Sequence, residues 1–215
     1  MKPWELFNLI YRKVAPNGGR IRYITVGQNL DYQIYPDLEN RVCYVLFQQT
    51  SGFRDWLANL RFLPRTKPFE KYCDVWVHGG HLRVWRSGAD RVLSDMLDCE
   101  KSYPNFEIVV AGFSKGASMA LLCAMDFFAF TGRRLGFAGF GGAKLALCGS
   151  GRRILRMVAP GSSNWINRSD LITTLPPAPF AHAWKNIVNR RFNPLDLVLN
   201  VRREHEIYDR PEVYP

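Results

Sequence analysis

No apolar run in this chain reaches the roughly 18 residues that a membrane-spanning helix needs. The most apolar stretch, residues 117–130, carries Asp126 and reads as a core helix. No charged n-region followed by an apolar h-region opens the chain. Residues 1–16 instead mix Trp4, Leu6, Phe7, Leu9 and Ile10 with Lys2, Glu5, Arg12 and Lys13, which is the pattern of an amphipathic helix. Histidine is scarce, with 4 residues in 215, and neither C-x-x-C nor H-E-x-x-H occurs. Cys73, His78 and His81 are of metal-ligand type but lack a metal-site spacing, so neither metal nor other cofactor is expected. The 5 cysteines (Cys43, Cys73, Cys99, Cys123, Cys148) are an odd number and widely spaced. They read as reduced thiols, which favours an intracellular compartment. Acidic residues are the minority, 19 against 29 basic ones, for a net charge of +10. The excess is scattered, with pairs at Arg133-Arg134, Arg152-Arg153, Arg190-Arg191 and Arg202-Arg203. No nucleic-acid-binding motif accompanies it, so no nucleic acid is expected, and peripheral contact with an anionic phospholipid surface is the better reading. Nothing in the pattern speaks to oligomeric state.

What the chain does have is Gly112-Phe113-Ser114-Lys115-Gly116 in a telling context. The β-branched run at residues 106–111 predicts a buried strand. Residues 117–130, rich in Ala, Leu and Met and free of Pro and Gly, predict a helix. Strand, G-x-S-x-G and helix form a nucleophile elbow, in which a strained turn holds the serine hydroxyl at a helix N-terminus. Glycine at 112 and 116 removes the side chains that would collide there.

The remainder reads as one domain over residues 1–215 with no internal repeat. Strands are predicted at 20–26, 31–35, 41–48, 75–77, 134–140 and 153–158, and helices at 52–63 and 82–102. Alternating strands and helices predict an α/β fold, a mostly parallel sheet with helices on both faces.

A serine nucleophile needs a base, and the base an orienting acid. Hydrolases with this elbow place them in the order Ser, acid, His. Only His182 and His205 follow Ser114. Asp126 lies within the elbow helix, and Glu204 is adjacent to His205. Asp170, in the polar loop Asn167-Arg168-Ser169-Asp170, is favoured as the acid over Asp196. His205 is favoured as the base over His182. Both alternatives stay open on residue type and order alone.

At this point a family resemblance becomes specific. Phe47-Gln48-Gln49-Thr50 is similar to the F-R-G-[ST] strand end of the class 3 (fungal-type) lipases, within the α/β-hydrolase superfamily. Val77-His78-Gly79-Gly80-His81 resembles their V-H-x-G-F. Asp170-Leu171-Ile172-Thr173-Thr174-Leu175-Pro176-Pro177 resembles D-[IP]-V-P-x-L-P-P, and His205-Glu206-Ile207-Tyr208 resembles the C-terminal H-x-x-Y. The matches run in order from residue 41 to 208. The resemblance implies Asp170 and His205 as catalytic acid and base, and an oxyanion hole at Thr50 and Lys115. It also implies a lid at residues 51–63, where Phe53, Trp56, Leu57 and Leu60 form an apolar stripe at i, i+3, i+4 and i+7. The activity implied is hydrolysis of lipid carboxylic esters, as by a lipase or a phospholipase A. The same residues also suit a soluble small-ester esterase, an acyltransferase or an inert binding protein of this fold. Three departures from the family pattern stand out: Gln48-Gln49 for Arg-Gly, Lys115 for Leu, and His81 for an aromatic.

Overall fold

The computed structural model describes residues 1–48, 65–66, 75–147, 149–178, 180–182, 186–187 and 205–214. The candidate lid helix at 51–63, Thr50, Cys73 and Asp196 lie outside the described residues.

Strands β1 (Ile24–Val26), β2 (Leu30–Asp37) and β3 (Val42–Phe47) form an antiparallel meander. From β3 the sheet turns parallel. Strands β6 (Glu107–Phe113), β7 (Gly136–Phe140), β9 (Ser163–Ile166) and β11 (Asn186–Ile187) follow in that spatial order. Val42-Cys43-Tyr44-Val45-Leu46-Phe47 is buried at its last five residues, as a central strand covered on both faces should be. A second, antiparallel sheet is small, with the order β10 (Phe180–Ala181), β8 (Ala146–Leu147), β5 (Val77–His78), β4 (Arg65–Thr66).

Helix α4 (Lys115–Thr131) is apolar around nearly its whole circumference, because it is enclosed on every side. It packs on β6, β3 and β7 and against α2 (Gly79–Arg86), α3 (Ala89–Ser102) and α5 (Ser150–Val158). Gly132, in the left-handed conformation at φ 73°, ends it. The opposite face of the sheet is covered by α1 (Pro3–Tyr11), the amphipathic helix read from the sequence. Its Leu6, Phe7, Leu9 and Ile10 build a second core with Phe113, Phe140 and Tyr208.

Two predicted elements take another form, and β4, β8, β9, β10 and β11 have no counterpart among the predicted strands. The single helix predicted over 82–102 is two, α2 and α3, broken at Ser87-Gly88. The hairpin turn between β1 and β2 packs into the break. Gln28 N–H donates to Ser87 Oγ at 2.7 Å, and a Cβ on Gly88 would sit 2.5 Å from Val26 Cγ2. The predicted strand at 153–158 is helix α5. Leu155 and Val158 are buried while Arg152, Arg153 and Arg156 are exposed, a helical period that the apolar content alone obscured. Cysteines far apart in sequence also meet: Cys99 of α3 lies with its Sγ 2.8 Å from that of Cys43 on β3, both as free thiols.

Candidate active site

The elbow lies at the end of β6. Ser114 adopts φ 56° and ψ −121°, a left-handed conformation that costs a side-chain-bearing residue energy. The glycines explain how the turn closes. A Cβ on Gly112 would lie 2.2 Å from the Gly116 carbonyl carbon, and one on Gly116 would lie 2.2 Å from the Phe47 carbonyl oxygen. Ser114 N–H donates to Phe140 O of the neighbouring strand at 2.9 Å, which locks the turn to the sheet. Ser114 is fully buried, and its Oγ has no hydrogen-bond partner among the described residues.

Asp170 follows β9 and caps the short 3-10 turn Leu171–Thr174: Ile172 N–H donates to its Oδ1 at 3.0 Å. Its Oδ2 faces His205, whose Nδ1 is 2.7 Å away, and both side chains are buried. A carboxylate only accepts, so Nδ1 carries a proton, which in a neutral imidazole leaves the lone pair on Nε2. The imidazole packs on Phe113, the residue before Ser114, with ring centroids 4.6 Å apart. Asp170 and His205 are thus brought together beside the elbow. Gly141, at φ 54°, borders Asp170, His205 and Tyr208. A Cβ there would sit 3.0 Å from His205 Cε1, 3.0 Å from Tyr208 Cε2 and 3.1 Å from Asp170 Oδ2.

Other site residues carried no assigned role in the sequence. Tyr208 O–H donates to Asp170 Oδ2 at 3.1 Å and accepts from Asn167 N–H at 3.0 Å. Burial, then the Asp170 charge, hold its phenol well above the ordinary range, so it is a neutral donor. The three-residue spacing from His205 was the available signal for it. His182 is not at Asp170. It bonds Thr173 O and Asn164, on the far side of the acid turn.

Lys115 opens α4, with its backbone N–H in the first turn of the helix, directly after Ser114. Burial lowers the pKa of its ammonium, with the Asp31 carboxylate opposing the shift. Nearby, His78 caps α2, its Nδ1 accepting from His81 N–H at 3.4 Å. The two rings are 4.4 Å apart and buried. Burial pushes His78 down to about 4. Burial, then the charges of His78 and Lys115, hold His81 well below the usual histidine range. Both are neutral at pH 7. Asp126, mid-way along α4, accepts from Trp85 Nε1 and lies away from the site.

Residues 44–180 match the family described as Lipase (class 3). The lipase of Rhizomucor miehei is 28% identical over 151 residues, covering 65% of this chain and 39% of that protein. A solved triacylglycerol lipase whose catalytic centre is formed by a serine protease triad superposes at TM-score 0.70. It shares 22% identity over 78% of this chain and 65% of its own. A fungal lipase–inhibitor complex, solved as a model for interfacial activation, superposes at TM-score 0.66 with 23% identity, over 77% and 64% of the two chains. These likenesses establish the α/β-hydrolase fold. The chain spans less than two thirds of the length of each of these relatives.

Proposed function

This chain belongs to the class 3 lipase family, and from that premise we propose that it is a serine hydrolase of lipid carboxylic esters. Ser114 Oγ attacks the ester carbonyl. His205 Nε2 takes the hydroxyl proton and returns it to the leaving alcohol, and Asp170 holds the imidazole by Nδ1–H and stabilises the imidazolium that forms. The negative charge developing on the carbonyl oxygen is met by the backbone N–H of Lys115, strengthened by the α4 N-terminus, and by a donor at Thr50. Water then cleaves the acyl-enzyme by the same route. The observation that carries this reading is the buried 2.7 Å contact of His205 with Asp170 beside a strained Ser114.

The finer reading concerns substrate. From their sequence pattern we propose that residues 51–63 act as a lid, whose apolar stripe of Phe53, Trp56, Leu57 and Leu60 turns toward aggregated lipid. Lys115 and the net charge of +10 favour an anionic, phospholipid-type surface. Each basic residue near such a surface contributes roughly 1 kcal/mol, screened within a Debye length. The test is ester turnover on neutral and anionic vesicles across a salt series, for wild type, Trp56→Ser and Lys115→Leu. Activity should rise with anionic lipid and fall with salt, and Trp56→Ser should blunt the gain on passing from monomers to aggregates. Equal turnover on both vesicle types at low salt contradicts the anionic preference. A Trp56→Ser variant that unfolds would make the stripe a piece of core.

A further inference from the structure

The 3-10 turn that Asp170 caps spans only four residues, Leu171–Thr174. Its Cα trace is fixed at the front by Tyr208, through Asn167 N–H. At the back, two carbonyls that a helical turn leaves unpaired at its C-terminal end are each taken by a side chain. Lys144 Nζ donates to Thr174 O at 2.6 Å, and His182 Nε2 lies 2.7 Å from Thr173 O. A carbonyl accepts only, so Nε2 of His182 carries the proton and Nδ1 is an acceptor. That tautomer suits its second contact, with Asn164 Nδ2 at 3.2 Å. Asn164 is buried on β9, next to the central strand β7, and a Cβ on Gly139 of β7 would lie 2.5 Å from Asn164 Oδ1. Thr173 in turn is bonded to the acid residue itself. Its N–H donates to Asp170 O at 3.2 Å, and its Oγ1 donates to the same oxygen at 2.8 Å. A continuous path runs from the sheet through Asn164, His182 and Thr173 to the Asp170 backbone.

We propose that His182 is a positioning residue for the acid of the site: it ties the Asp170 turn to the rigid sheet through Thr173 O and Asn164, so that the Asp170 carboxylate meets His205 at a fixed place. The proposal rests on the reading of Asp170 as the catalytic acid. His182 does not itself touch the reacting atoms. At metal sites, losing a group that orients a functional side chain from behind costs roughly 10–100-fold in activity or affinity, and an effect of that order is expected here. A displacement of about 1 Å in a positioning group is enough for a loss of that order.

The experiment is a double-mutant cycle on ester turnover, with active serines counted by fluorophosphonate titration so that misfolded protein drops out. Wild type is measured first. If it neither turns over esters nor labels, the enzyme reading itself has failed, independently of His182. With an active wild type, His182→Ala should lower kcat per labelled site by about 10–100-fold with KM within about twofold. His182→Gln, whose amide N–H can reach Thr173 O, should recover most of that loss. In an Asp170→Asn background, where the acid is already gone, His182→Ala should cost less than about threefold, because both changes act through one group. Should His182→Ala melt below the assay temperature, Asn164→Ala enters the same cycle with the same expected coupling. Wild-type kcat per labelled site in the variant overturns the proposal. A full, multiplicative loss in the Asp170→Asn background also overturns it, because the effect would not pass through the acid.

Discussion

Replacing Tyr208 by Phe removes one oxygen atom from the centre of the site and leaves the ring in place. The ring is fully buried and packs on Phe7 and Phe140, with centroids at 5.7 and 6.3 Å, so no cavity of consequence opens. Two hydrogen bonds disappear together: the one donated to Asp170 Oδ2 at 3.1 Å and the one accepted from Asn167 N–H at 3.0 Å. A bond to an ionised group is worth about 1.5–3 kcal/mol, and a buried N–H left without an acceptor costs about 1–3 kcal/mol. They share an atom and the loop can relax, so the sum is an upper bound, and a destabilisation of about 2–4 kcal/mol is expected. Urea unfolding should show it as a lower midpoint at unchanged m-value. Turnover should suffer less. Asp170 keeps Ile172 N–H at 3.0 Å and His205 at 2.7 Å, so a fall in kcat of about tenfold, near 1.4 kcal/mol, is expected. Asp170→Asn should cost on the order of 10⁴ by stabilising the wrong imidazole tautomer. A stability change below about 0.5 kcal/mol would refute the placement of the hydroxyl between Asp170 and Asn167. A loss of turnover matching Asp170→Asn would show that the hydroxyl, not the turn, holds the acid.

Ser114→Gly relieves a side chain held at φ 56° and should raise stability by about 1 kcal/mol in thermal melts while abolishing ester turnover. Gly112→Ala places a methyl 2.2 Å from the Gly116 backbone, so its cost should reach or exceed the roughly 1–3 kcal/mol of ordinary overpacking, read as a lower urea midpoint or loss of soluble protein. His78 is depressed by burial from 6.5 to about 4, so between those values the unfolded chain binds more protons than the folded one. Stability is therefore full above about pH 6.5 and falls as pH drops toward 4, by about 3 kcal/mol at roughly 1.4 kcal/mol per pKa unit. His81 is shifted the same way and adds to the slope, so His78→Gln should flatten the wild-type profile in part, as measured by urea unfolding at pH 7, 5.5 and 4.5.

The fold was legible in sequence wherever burial and period agreed. The all-apolar β3, the β6–elbow–α4 unit and the amphipathic α1 each carry a local pattern that tertiary contacts reinforce. It was illegible where a long-range contact decided the matter. The break between α2 and α3 exists because a hairpin turn some sixty residues upstream packs into Ser87-Gly88. Helix α5 looked like a strand because Ile154, Leu155, Met157 and Val158 are dense enough to fit either period over so short a segment. Within the site, order along the chain nominated Asp170 and His205, and the fold brings their side chains into contact. Order could not say what lies behind them. Tyr208 showed as part of a spacing without a role. His182 was weighed only as a rival base, because a histidine's residue type suggests proton transfer and says nothing of a carbonyl 2.7 Å away on a turn nine residues back. Thr50 and the stripe at Phe53, Trp56, Leu57 and Leu60 lie outside the described residues, so their roles rest on sequence pattern.

Ser114 as the nucleophile is tested most directly by one covalent-labelling measurement. Wild type and Ser114→Ala are treated with a fluorophosphonate probe, the adduct is mapped by peptide mass spectrometry, and ester turnover is recorded on the same samples. A single adduct on Ser114 in wild type is expected, with labelling and turnover both lost in a Ser114→Ala variant that retains its circular dichroism spectrum. Turnover persisting in Ser114→Ala, or an adduct on another residue, would contradict the mechanism.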